Sequence, residues 1–99
     1  MTDSFTFYTY TFSDDLKNTA RRFYESAEAT RRDLVAFRTS LIKEQGTREP
    51  LRDMKIVRLK TRAVTRRALI DLFNAMDGDL GGFIESREVV GIIKEPQIT

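Results

Sequence analysis

Ninety-nine residues, 40% of them hydrophobic and 32% charged, describe one small domain with no room for a second core. The absence of cysteine excludes a disulfide framework, thiolate metal sites and a thiol nucleophile, and the absence of histidine removes the commonest general base and nitrogen ligand. Any metal must therefore be held by oxygen.

The formal charge of +2 conceals a segregation. Residues 1–49 balance eight basic against eight acidic side chains, residues 50–67 carry seven against one, and residues 68–99 carry two against six. No apolar run approaches the ~20 residues of a membrane span, and Met1 to Phe12 lacks the basic start and unbroken apolar stretch of a secretory signal. An intracellular chain is expected, with cytoplasm or organelle left open.

From Ser4 to Phe12 the sequence alternates aromatic residues with threonine, a strand-like pattern whose phase slips between Phe7 and Tyr8. Phe5 and Phe7 then point to one side and Tyr8, Tyr10 and Phe12 to the other, so both faces need cover or a bulge intervenes. Residues 1–12 are read as an extended aromatic segment and residues 13–99 as a single helical domain.

Ser13-Asp14-Asp15 predicts a helix start, because a capping side chain is followed by carboxylates that suit the positive end of the helix dipole. Leu16, Ala20, Phe23, Ala27, Thr30, Leu34, Phe37 and Leu41 follow in steps of four and three. This predicts one long amphipathic helix, or two in close succession, ending before Gly46. A loop belongs at Glu44 to Pro50. Leu51 to Leu59 fits a short strand and a helical face equally. From Thr61 the helical pattern is clearer, with Val64, Ala68, Leu69, Leu72, Phe73 and Met76 as its apolar stripe.

That stripe runs into D-G-D-L-G-G-F-I-E-S-R-E, Asp77 to Glu88. The segment resembles the calcium loop of the EF-hand family: Asp77, Asp79, Gly82 and Glu88 match the signature and Gly81 does not. The family's apolar flanks have counterparts in Leu69, Leu72, Phe73 and Met76 before the loop and Val89, Ile92 and Ile93 after it. Turn formers such as Asp-Gly and Gly-Gly also suit a hairpin or a plain turn with solvated acids.

The resemblance implies a mainly α fold, an EF-hand-like helix-loop-helix over 64–95 with a long N-terminal helix before it. It implies calcium as cofactor, with Asp77, Asp79, Glu85 and Glu88 as side-chain ligands and Phe83 offering its carbonyl. Gly82 would permit the sharp turn. Gly81 brings no side-chain oxygen, so the implied affinity is weak, about 10⁻⁵ to 10⁻³ M.

EF-hands usually pair, which makes residues 34–60 a candidate pseudo-hand within the 13–63 stretch. Lys43, Arg48, Arg52 and Lys55 stand there where carboxylates belong. Without it, the hand must pair with a second copy, as a homodimer, or pack on the first helix.

The basic stretch from Arg52 to Arg67 suits an acidic protein surface better than nucleic acid, because no aromatic residues interleave for base stacking. Arg58, Arg62 and Arg66 are its candidate partner contacts. Phe5, Phe7, Tyr8, Tyr10 and Phe12 are further candidates, since an exposed aromatic strand either adds to a partner's sheet or packs over its own helices.

The sequence therefore predicts no enzyme but a regulatory or structural subunit of a larger protein assembly that binds calcium weakly. The alternatives are a metal-free assembly subunit and, less favoured, a nucleic-acid-binding protein.

Overall fold

A computed structural model of the protein describes residues 3–20, 22–45, 51–74 and 81–96. Its elements are β1 (Thr6–Thr11), α1 (Ala27–Gln45), β2 (Met54–Thr61), α2 (Arg66–Asn74), a 3-10 turn (Gly81–Phe83) and β3 (Ile84–Ile93). The strands form one antiparallel sheet in the order β1-β2-β3. The expected mainly α, helix-loop-helix architecture is thus corrected to a mixed α/β domain built on a small sheet.

β2 holds the domain together because both of its faces are buried. Met54 and Ile56 join Leu34 of α1 and Ile93 of β3 in one cluster, with Tyr8, Tyr10 and Ala27 packed against it. Val57 and Leu59 join Ala68, Phe83 and Ile84 in a second cluster, bordered by Phe7, Leu16, Val64 and Leu72. Successive strand residues point to opposite faces, so neighbouring apolar positions feed two cores. The 51–59 stretch fits strand and helix equally by pattern, and this two-sided burial is what the strand satisfies. The pseudo-hand over 34–60 falls with it.

The aromatic segment obeys the same rule. Phe7 pairs across from Leu59 and Tyr10 across from Ile56, which puts the two rings in different clusters as the phase slip predicts. Phe23 meets Phe7 edge to face at 5.5 Å between centroids.

The long N-terminal helix is also corrected: α1 starts at Ala27, not near Asp14. The polar groups of 13–18 are used in a local turn instead. The Asp15 N–H donates to Ser13 Oγ at 3.0 Å and the Lys17 N–H to Asp15 Oδ1 at 3.0 Å, the competing use of such side chains that makes them turn formers as readily as caps. The cap of α1 is Ser26, whose Oγ accepts the Ala29 N–H at 3.0 Å.

Between these points the chain doubles back along the outer edge of β1. The Ala20 N–H donates to the Tyr10 carbonyl, and Tyr8 and Tyr24 exchange both backbone bonds. Thr9 Oγ1 reaches the carbonyls of Ala20 and Arg22 at 3.1 and 2.7 Å, and Thr11 Oγ1 reaches that of Asn18 at 2.6 Å. The alternating threonines thus fasten the return segment and are buried with their hydroxyls satisfied.

The inward stripe of α1 includes Thr30, Leu34 and Arg38, while Phe37, expected in the core, is exposed. Arg38 is fully buried. Its guanidinium donates from Nη1 to the Arg52 carbonyl at 2.6 Å, from Nη2 to that of Lys94 at 2.7 Å and from Nε to that of Pro96 at 3.2 Å. Three backbone acceptors thereby replace the water that a buried cation loses.

β3 is ten residues long, paired among the described residues with β2 alone, and irregular twice. Ile56 pairs with Gly91 but Val57 with Val89, and Lys60 pairs with Ser86 but Thr61 with Ile84, so Val90 and Glu85 are extra residues on this strand. β-Branched residues dominate its second half, which is why the segment expected as the exiting helix is a strand.

Candidate functional site

The implied calcium ligands do not behave as one loop followed by a helix. Asp77 and Asp79 lie outside the described residues. The Phe83 carbonyl accepts the Arg62 N–H at 2.8 Å, and its ring is buried in the second cluster. Glu85 is exposed at the start of β3, and Glu88 pairs with Arg58 across the β2–β3 ladder. Gly82 lies in the 3-10 turn with a backbone open to any residue, and a Cβ there meets nothing within 4 Å. Among the described residues no group of three or more acidic side chains is gathered for a metal. The helical EF-hand geometry is overturned by β3.

The candidate partner contacts of the aromatic segment are divided by the sheet. Phe7, Tyr8 and Tyr10 are partly buried against the chain's own cores, and β1 is hydrogen-bonded on both edges, which closes it to strand addition. Phe5 and Phe12 remain exposed. Tyr24 donates its hydroxyl to Asp33, and burial together with that bond pushes its pKa up to about 12.

The basic stretch does not make one patch. Lys55 reaches Asp14 and holds that exposed carboxyl below its usual range, while Arg58 takes Glu88. Arg62 and Arg67 share Asp71 at 3.5 and 3.3 Å. Arg66 beside them has no ion pair among the described residues. Arg52 and Lys60 likewise have none, so the surplus positive charge is spread along the stretch and only part of it stands at the start of α2.

That helix is capped by Thr65, whose Oγ1 accepts the Ala68 N–H at 3.0 Å. It has no acidic residue in its first turn, so Arg66 and Arg67 sit at the dipole's positive end, a local electrostatic cost. Ala68 and Leu72 face the core. Leu69, Ile70 and Phe73 are 40%, 42% and 68% exposed and share the opposite side at spacings of one, three and four. A basic rim and an apolar centre therefore lie together on one short helix.

The sequence pattern put Leu69 and Phe73 in one apolar stripe with Ala68 and Leu72 and passed over Ile70. A signal was present: Ala68, Leu69, Ile70, Leu72 and Phe73 are five apolar positions in a nine-residue helix, more than one inward stripe holds. No helix among the described residues is long and apolar enough to cross a membrane.

The chain matches no family model, no curated protein and no solved structure.

Proposed function

We propose that the protein is a non-enzymatic docking subunit that enters a larger protein assembly by burying the outward face of α2. Its partner surface is apolar, to receive Leu69, Ile70 and Phe73, and acidic at the border, to meet Arg66 and Arg67.

One observation carries this reading. Among the described residues nine hydrophobic side chains are buried, while eleven large ones are exposed, three of them within two turns of α2. Single exposed apolar residues are ordinary, but a cluster rimmed by charge is the mark of an interaction surface. Arg66, without an ion pair among the described residues, and the helix start beside it favour an acidic partner, because carboxylates there gain from both the guanidinium group and the dipole.

The test is native mass spectrometry of the full chain recovered from its own cells, wild type beside Ile70→Ser with Phe73→Ser. Wild type is expected in a complex of fixed stoichiometry that survives moderate salt. The double variant, folded by circular dichroism, is expected to lose it with an affinity drop of roughly 30-fold or more. Recovery of wild type as a lone chain, or retention of the complex by the variant, contradicts the reading.

A further inference from the structure

A second surface, on the other side of the molecule from the β1 edge, is built for a different occupant. The outer edge of β3 is unpaired among the described residues. Beside it runs a groove whose other wall is Arg31, Val35 and Thr39 of α1, spaced one helical turn apart, with Ile92 and the Lys94–Pro96 segment on the strand side. We propose that this groove takes an extended segment of a partner protein, added to β3 as a further strand, with a carboxylate side chain held by Arg31.

The acceptor strand is open where pairing is needed. After the extra residue at Val90, the register from Gly91 to Ile93 is regular, so a short added strand finds an undistorted ladder there. The wall is held in place from beneath, because buried Arg38 ties the carbonyls of Lys94 and Pro96 to α1. A site fixed before binding loses little on ordering.

The chemistry of the occupant follows from the lining. Val35 on the helix wall and Ile92 on the strand side, 38% and 46% exposed, give the lining its apolar part. Arg31 is exposed, has no hydrogen bond or ion pair among the described residues, and lies against the strand: a Cβ on Gly91 would be 3.4 Å from its Nη2. That distance is ordinary van der Waals contact, so the guanidinium rests directly on the strand at this position. A forked donor without an acceptor suits a carboxylate at the Arg31 end; at the opposite end Glu95 repels one, and Lys94 beside it is turned to Asp53 at 3.8 Å.

Spacing sharpens the recognition. Arg31 and Val35 are one turn apart, about 5.4–6 Å, and same-side residues of an added strand are about 6.6–6.8 Å apart. The expected signature is an acidic residue and a Val, Ile or Leu two positions apart, in the order set by the direction of the added strand.

The test is selection of random twelve-residue peptides displayed on phage against the full chain, followed by anisotropy with the enriched peptide made synthetically. Enrichment of sequences with an acid and an apolar residue two positions apart, in one order, is expected. So is a loss of roughly tenfold or more in affinity on Arg31→Glu, in line with a charged hydrogen bond, with recovery when the peptide's acid is changed to lysine. N-methylation of alternate peptide amides should abolish binding, and bound peptide should slow hydrogen exchange at Gly91 to Ile93. Failure to enrich any sequence, enrichment without acidic bias, or indifference to N-methylation overturns the proposal. A dimer that protects β3 without peptide, seen by sedimentation, also overturns it. The α2 variants leave this binding unchanged, so the two surfaces fail or stand separately.

Discussion

Arg38 in the middle of α1 donates to the carbonyl of Lys94 just beyond β3 at 2.7 Å, a bond between residues 56 apart in sequence. The same guanidinium holds the carbonyls of Arg52 and Pro96, so one side chain joins the helix to the entry of β2 and the exit of β3.

Arg38→Ala leaves these acceptors without a donor and opens a cavity, and a loss of about 3–5 kcal/mol is expected. Arg38→Lys, a point donor unable to span the fork, should recover only part of it. Urea titration of both variants measures the difference.

Leu34 and Leu59 sit in separate clusters on opposite faces of the sheet. Leu34→Ala and Leu59→Ala should each cost about 2–5 kcal/mol. Because the two share no cluster neighbour, the double variant is expected to be additive within about 0.5 kcal/mol. A double-mutant cycle by chemical denaturation reads this directly.

Ser26 caps α1, whereas Ser13 sits in a turn. Ser26→Ala should destabilise by about 1 kcal/mol, and Ser13→Ala, at a surface turn, by less than about 0.5 kcal/mol. Thermal melts of the pair distinguish them, and a larger loss at Ser13 would restore the helix start expected there.

Tyr24 has its pKa raised from 10.0 to about 12 in the folded chain. Below pH 10 the phenol is protonated in both states and its bond to Asp33 is intact. As pH rises from 10 toward 12 the unfolded chain loses the proton first, so stability falls across that window. Ultraviolet titration should show a phenol step near 12 that Tyr24→Phe removes. Asp33→Asn should shift it downward only in part, since burial is the larger cause.

How far the sequence could be read depended on what each residue competed for. The two-sided aromatic pattern was legible because alternation at period 2 matches a strand and no helix, and Phe7 and Tyr10 do enter different cores. The start of α1 was not, because Ser13-Asp14-Asp15 has the chemistry of a cap and of a turn alike, and long-range bonds of Asn18, Ala20, Arg22 and Tyr24 to β1 decided the outcome.

The segment after Asp77 misled for a related reason. Apolar residues at Val89, Ile92 and Ile93 satisfy helical spacing by position alone, while their β-branching and the pairing with β2 favour a strand. Of the surfaces now proposed, the surplus of apolar residues in α2 was legible. The groove was not, since Arg31 and Gly91 meet only through the fold.

β2 lies between β1 and β3 and places two buried residues in each cluster, Met54 and Ile56 on one face and Val57 and Leu59 on the other. Neither half of the molecule can therefore open while the other stays closed without exposing the far side of the same eight residues, Met54–Thr61. The domain is expected to melt as one cooperative unit, with its slowest-exchanging amides in that strand and with no half-folded form for a protease to find.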